Sequence, residues 1–106
     1  IEKYVDLNDF LVDHPDDTFF ITVSGDSMLG IGIFNGDTAI VDKTIEPTNN
    51  KIVVALLDGE LTIKTLKIIG NKIILQPENP EYNPIEIKKS NNFKVLGVVT
   101  ATIKKH

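Results

Sequence analysis

The dipeptide Asp58-Gly59 is the sequence feature that most restricts how this chain folds. It separates two stretches of strand-like composition, residues 51–57 and 60–66. A two-residue hairpin turn needs positive φ at both of its central positions, and an Asp-Gly pair tolerates that conformation. The pair therefore predicts an antiparallel hairpin, around which the rest of the fold has to be built.

Four further segments carry the β-branched and aromatic residues that favour strands. They are residues 19–23, 38–41, 72–75 and 93–103. Residues 76–84 hold three of the five prolines and predict an irregular loop. We therefore expect one domain over residues 1–106: mostly β, a compact antiparallel β domain with one short N-terminal helix.

The helix is predicted at residues 5–12, where the apolar spacing allows about two turns. Val5, Leu7 and either Phe10 or Leu11 are expected to face inward. The predicted helix is the only one in the chain, so strands must supply most of the core.

Charge and cysteine content exclude several classes of protein. The 11 basic and 15 acidic residues give a formal net charge of −4, so no direct duplex DNA binding is expected. There is no cysteine, which excludes disulfides and fits a cytoplasmic location. No apolar run approaches the roughly 20 residues of a membrane-spanning helix, so no membrane association is expected.

Neither a metal nor a cofactor is expected. His14 lies in an acidic segment and His106 is terminal, and both are interpreted as solvated. Asp16, Asp17 and Asp26 lack the spacing of a calcium-binding loop. The chain also contains no P-loop and no dinucleotide-binding glycine motif.

Two residues have catalytic potential, each with a simpler alternative. Ser27 follows a predicted strand, where its hydroxyl either caps backbone N–H groups or acts as a nucleophile beside N–H groups that hold an oxyanion. The Lys64 side chain either reaches water or lies among apolar neighbours. Burial would lower the pKa of the lysine, and a neutral amine accepts a serine proton in Ser-Lys catalysis. Thr62, on the same strand face, is placed to orient that amine.

Together these segments resemble the LexA/UmuD family of self-cleaving peptidases. The resemblance rests on residues 24–28 (Ser-Gly-Asp-Ser-Met), 36–37 (Gly-Asp) and 58–64 (Asp-Gly-Glu-Leu-Thr-Ile-Lys). Residues 75–80 and 97–99 look like further family landmarks. The resemblance therefore extends over nearly the whole chain.

The resemblance implies a serine peptidase with a Ser-Lys dyad. Ser27 would be the nucleophile and Lys64 its general base, and the 37-residue spacing between them is that of the family. Thr62 would orient Lys64. Asp26 and Met28 would form the turn and provide the backbone N–H groups around the nucleophile.

Within the family, residues 5–8 (Val-Asp-Leu-Asn) followed by His14-Pro15 are similar to UmuD. This implies a role in the bacterial SOS response, in which a RecA–DNA filament stimulates self-cleavage. The shortened UmuD homodimer then joins UmuC, a Y-family DNA polymerase, as the accessory subunit of an error-prone translesion enzyme. For the homodimer, the long apolar strand at residues 93–103 is expected to form an exposed edge that pairs with a second copy.

The sequence has no cleavage site of the family type. Family members cut themselves between a small residue and glycine, usually Ala-Gly or Cys-Gly. None of the 7 glycines here follows alanine or cysteine. The chain is therefore expected to be the processed body, with its N-terminal arm and cleavage site missing.

Two other functions remain open. One is the C-terminal self-cleavage and dimerisation domain of a LexA-type or prophage transcriptional repressor, which an upstream helix-turn-helix would indicate. A short flexible arm would indicate UmuD instead. The other is an interaction module whose peptidase site is inactive. Type I signal peptidases also use Ser and Lys in a related fold, but the absence of a membrane anchor argues against them.

Overall fold

The Asp58-Gly59 turn joins two neighbouring strands of a seven-stranded sheet. In the computed structural model, which describes residues 4–106, φ is 49° at Asp58 and 86° at Gly59. Both turn residues thus have the left-handed conformation that the sequence predicts. The domain was predicted over residues 1–106, and its first three residues lie outside the described residues.

All neighbouring strands of the sheet run antiparallel. The strands are β1 (Thr18–Thr22), β2 (Thr38–Asp42), β3 (Ile52–Leu57), β4 (Glu60–Ile69), β5 (Lys72–Gln76), β6 (Ile85–Glu86) and β7 (Phe93–Ile103). The predicted mostly β, antiparallel fold is confirmed. The two-residue strand β6 was not predicted, because it is too short to show an alternating pattern; within residues 4–106 it pairs with β5.

The strand order is β1-β2-β7-β3-β4-β5-β6. Strand β7 therefore lies between β2 and β3, but each neighbour pairs with only half of it: β3 with residues 93–98 and β2 with residues 98–103. An exposed edge along the whole strand is not observed, whereas residues 99–103 have one edge without a strand partner in the described chain. The side chains of β7 are covered on both faces of the sheet: Val98 belongs to one apolar cluster, whereas Val99 packs against another. An apolar strand of this kind fits the interior of a sheet.

The core consists of two clusters on opposite faces of the sheet. Val53 and Val54 are consecutive residues of β3, both fully buried, and belong to different clusters. Since consecutive side chains of a strand point to opposite faces, the sheet is covered on both sides. One cluster includes Met28, beside the candidate nucleophile. The other includes Leu66, on the strand of Lys64.

The short helix α1 (Leu7–Leu11) begins after Asp6, whose side chain accepts a 2.9 Å hydrogen bond from the Asn8 N–H. No residue of α1 is buried, and Phe10 is 70% exposed. The expectation that apolar residues of this segment face inward is therefore wrong for Val5, Leu7 and Phe10, because α1 makes no extensive contact with a strand. Leu11, the alternative to Phe10, is partly buried. Within residues 4–106, no helix is long and apolar enough to cross a membrane.

Candidate active site

Ser27 lies in a turn that follows β1 and precedes a short 3-10 helix, Leu29–Ile31. The next side chain, Met28, is only 2% exposed and packs in the core. Burial of Met28 holds the turn against the sheet and leaves Ser27 partly accessible. The turn position expected for Ser27 and Met28 is thus observed.

Lys64 reaches Ser27 from β4. Its Nζ atom lies 3.0 Å from Ser27 Oγ, 2.8 Å from Thr62 Oγ1 and 3.1 Å from the Ile63 carbonyl oxygen. A charged ammonium group donates to all three oxygens, whereas a neutral amine retains one lone pair, which can accept the Ser27 hydroxyl proton. The fold therefore brings together Ser27, Lys64 and Thr62, three residues that the sequence analysis singled out.

Burial lowers the pKa of Lys64 below its ordinary value of 10.5. The physical cause is loss of solvation, which disfavours the charged form of an amine. No carboxylate within residues 4–106 forms an ion pair with Lys64 that would oppose this shift. The electrostatics of the site thus favour a neutral lysine at a lower pH than in solution.

The dyad opens into a groove of about 170 Å³. Its walls are formed by the end of β1, the Ser27 turn and the first half of β4. The lining residues are Ile21, Thr22, Val23, Ser24, Gly25, Ser27, Met28, Leu61, Thr62, Ile63 and Lys64. The groove is large enough for part of an extended peptide, and its apolar walls suit apolar or small side chains.

Three backbone N–H groups at the turn, those of Asp26, Ser27 and Met28, donate no hydrogen bond within residues 4–106. Two of them belong to Ser27 itself and to the residue that follows it. Both lie beside the Ser27 hydroxyl in the chain. Free N–H groups beside a nucleophile stabilise the negative oxygen that develops during acyl transfer. These N–H groups are therefore available to donate hydrogen bonds to a bound group at Ser27.

Sequence reasoning gave no role to a set of polar residues that contact this turn from residues 76–84. The Asn79 amide donates to the Asp26 carbonyl oxygen at 2.9 Å, and the Tyr82 hydroxyl donates to the Asp26 carboxylate. Asp26 is therefore a turn residue that is also bound from outside. Its partners are more than 50 residues away, and the only sequence signal was their position near a family landmark.

His14 is not simply solvated, as its position in an acidic segment suggested. Its Nδ1 atom lies 2.7 Å from the Asp42 carboxylate and 3.1 Å from the Thr44 hydroxyl. Hydrogen bonds from Thr44 and His14 lower the pKa of Asp42 to about 2. The hydrogen bond with Asp42 raises the pKa of His14. This cluster ties the segment before β1 to the end of β2.

Comparison with known proteins is consistent with this geometry. The Peptidase S24-like family matches residues 1–100, and the chain belongs to that family of serine peptidases. A LexA repressor of Stenotrophomonas maltophilia (strain R551-3) is 42% identical over 84 residues, which cover 79% of this chain and 40% of the relative. LexA repressors of two Xylella fastidiosa strains, M23 and Temecula1, are 39% identical over 97 residues, which cover 92% of this chain and 46% of each relative.

These comparisons place the chain in the LexA/UmuD group, as the motifs predicted, but do not single out UmuD. The chain spans less than half the length of the curated relatives that it matches. The predicted assignment to the UmuD branch is therefore not confirmed.

Proposed function

We propose that this chain is a self-cleaving peptidase domain in which Ser27 is the nucleophile and Lys64 the general base. The observation that supports the proposal best is the 3.0 Å separation between Lys64 Nζ and Ser27 Oγ across 37 residues of sequence. A serine that only caps a turn would not need a half-buried lysine without a carboxylate partner beside it.

The reaction follows from the arrangement of the two groups. Neutral Lys64 accepts the Ser27 hydroxyl proton as Oγ attacks the carbonyl carbon of the scissile bond. The N–H groups of Ser27 and Met28 donate to the resulting oxyanion. Protonated Lys64 then donates its proton to the leaving amine, and Ser27 remains as an ester. Lys64 next takes a proton from the water that attacks the ester carbonyl. The bond to Oγ then breaks, Lys64 returns the proton to Ser27 Oγ, and the carboxylic acid product leaves.

Thr62 orients the amine in this proposal. Its hydroxyl oxygen accepts one Lys64 N–H at 2.8 Å, and the Ile63 carbonyl oxygen accepts another at 3.1 Å. With both N–H bonds of a neutral amine directed to these acceptors, its lone pair is left for the Ser27 hydroxyl. Thr62 is thus a positioning residue.

The first half of β4 provides a docking edge for the substrate. Strand β5 pairs with β4 only from Thr65 to Ile69, so residues 60–64 have one edge without a strand partner in the described chain. An extended peptide adds to such an edge by main-chain hydrogen bonds. We infer that an upstream arm with a small residue before glycine docks here and presents its bond to Ser27.

For the whole protein, the relatives favour the repressor function. The curated matches are LexA repressors, and the chain spans 40–46% of their length. We infer the C-terminal self-cleavage and dimerisation domain of a LexA-type repressor in the bacterial cytoplasm, with cleavage stimulated by a RecA–DNA filament. The net charge of −4 fits a domain that leaves DNA binding to another part of the protein.

The UmuD-type function is the second candidate. It is favoured by residues 5–8 followed by His14-Pro15, the segment that resembles UmuD and precedes β1 in the structure. In that case the processed homodimer would bind a UmuC-type Y-family polymerase. The comparisons support the repressor function better.

One experiment separates these functions. The full-length protein and its Ser27→Ala variant are expressed in the native host, and cleavage is followed after DNA damage with and without RecA. Damage-dependent cleavage that Ser27→Ala abolishes supports the peptidase proposal, whereas cleavage of the variant contradicts it. Sequence-specific operator binding by the uncut protein indicates the repressor, and co-purification of a polymerase with the cut form indicates the UmuD type.

A further inference from the structure

Residues 77–82, here called the latch loop, lie against residues 26–30, here called the nucleophile turn. Two backbone hydrogen bonds join them: the Glu78 N–H donates to the Ser27 carbonyl oxygen at 2.8 Å, and the Gly30 N–H donates to the Glu78 carbonyl oxygen at 2.7 Å. The side chains of Asn79 and Tyr82 donate to Asp26. The latch loop thus binds the turn at both ends and at the nucleophile itself.

The hydrogen bonds to the latch loop are shorter than those inside the turn. Within the turn, the Leu29 N–H donates to the Asp26 carbonyl oxygen at 3.3 Å. Bonds also enter the turn from the residues that follow it, among them those from Ile31 to Met28 at 3.3 Å and from Gly32 to Leu29 at 2.9 Å. Bonds of 3.3 Å lie beyond the usual range for N–H···O, whereas 2.7–2.9 Å lies within it. The latch loop therefore supplies most of the short hydrogen bonds that the turn makes.

Close packing at Gly30 supports the same conclusion. A Cβ atom added there would lie 2.5 Å from the Glu78 carbonyl oxygen. Only glycine lets the two backbones approach so closely. The close contact with Glu78 therefore requires glycine at position 30 of the nucleophile turn.

Glu78 also reaches the strand of the general base. Its carboxylate accepts a 3.1 Å hydrogen bond from the hydroxyl of Thr65, the residue that follows Lys64 on β4. Its backbone simultaneously contacts Ser27 and Gly30. One residue thus connects the element that carries Ser27 to the element that carries Lys64.

We propose that the latch loop sets the distance and direction between Ser27 and Lys64, with Glu78, Asn79 and Tyr82 as positioning residues for cleavage. The inference rests on the proposed peptidase function and adds residues that touch neither reacting atom. A misplacement of about 1 Å costs on the order of 100-fold in rate, so a loop that joins the two elements affects catalysis strongly.

The test uses the protein with an upstream arm that contains an Ala-Gly bond, and measures the first-order cleavage rate across pH. At the alkaline plateau, Glu78→Ala should be slower by about 10- to 100-fold, with the midpoint of the pH profile unchanged, because Lys64 keeps its burial. Glu78→Gln is the matched control. Its amide oxygen still accepts from Thr65, so it should cleave within about threefold of the unmodified protein.

Thr65 provides a second pair of variants. Thr65→Val removes the hydroxyl at nearly constant volume and should slow cleavage, whereas Thr65→Ser should retain it. The double variant Thr65→Val/Glu78→Ala should be no slower than Glu78→Ala alone, since both changes remove the same hydrogen bond. Full additivity of the two effects would contradict the proposal.

If the Glu78→Ala variant does not fold, the Tyr82→Phe variant still tests the role of the latch loop. It removes one hydroxyl of a partly exposed side chain, and circular dichroism verifies that the variant is folded. Cleavage at the unmodified rate by folded Tyr82→Phe and Asn79→Ala overturns the latch, provided that Ser27→Ala is inactive. Cleavage by Ser27→Ala would instead refute the peptidase function, so the two failures are distinguishable.

Discussion

The pH dependence of self-cleavage tests the role of Lys64 most directly. At its ordinary pKa of 10.5, about one lysine in 3,000 is neutral at pH 7. Burial lowers the pKa of Lys64, and each unit of lowering raises the neutral fraction about tenfold as long as the pKa stays above the assay pH. Cleavage should therefore accelerate about tenfold per pH unit and reach a plateau below pH 10.5, where Lys64 has lost its proton.

Substitutions at Ser27, Lys64 and Thr62 should reduce the cleavage rate to different extents. Ser27→Ala removes the nucleophile and Lys64→Ala removes the base, so both should abolish cleavage. Lys64→Arg should also be inactive, because arginine remains protonated throughout this pH range. Thr62→Ala should slow the plateau rate by less than either, since it loosens the amine without removing it. Thr62→Ser keeps the hydroxyl and serves as the matched control.

The assay follows cleavage of an arm-bearing protein by gel densitometry between pH 6 and pH 10.5, with circular dichroism as the control for folding. If Lys64 had only a structural role, arginine would substitute for it without loss of cleavage activity. Normal cleavage by folded Lys64→Arg would therefore refute the mechanism. A rate independent of pH in the unmodified protein would also contradict it.

Three further predictions concern stability and assembly. Leu75 is fully buried, so Leu75→Ala should lower the free energy of unfolding by about 2–5 kcal/mol in urea titrations, with Leu75→Met much closer to the unmodified protein; a loss under about 1 kcal/mol would contradict the packing. The hydrogen bond with Asp42 raises the pKa of His14 in the folded protein. His14 therefore stabilises the fold below its unfolded pKa near 6.5, and this stabilisation is lost as pH rises through the folded pKa. His14→Gln should therefore lower the melting temperature more at pH 5 than at pH 9, and equal losses would count against it. Sedimentation at micromolar concentration should detect a homodimer, and an 11.7 kDa species alone would contradict the proposed assembly.

Much of the fold could be predicted because it is encoded locally. Asp58-Gly59 selects its own turn from two adjacent residues, and the predicted strand at residues 93–103 agrees with β7 (Phe93–Ile103). The pairing of Ser27 with Lys64 was a different kind of prediction. Each residue had a simpler explanation when considered alone, and only the family resemblance joined them before the 3.0 Å distance was known.

What the sequence by itself determined, then, is where strands and turns form and which side chains are available for chemistry, because alternation and turn conformation depend on neighbouring residues. Tertiary structure decided which strand edges are paired, since β3 pairs with β7 over residues 93–98 and β2 pairs with it over residues 98–103. It also decided that α1 stays exposed and that Glu78 lies between Ser27 and Thr65. These outcomes depend on contacts between residues far apart in the chain, and the lowered pKa of Lys64 is one of them, because burial exists only once the sheet has formed.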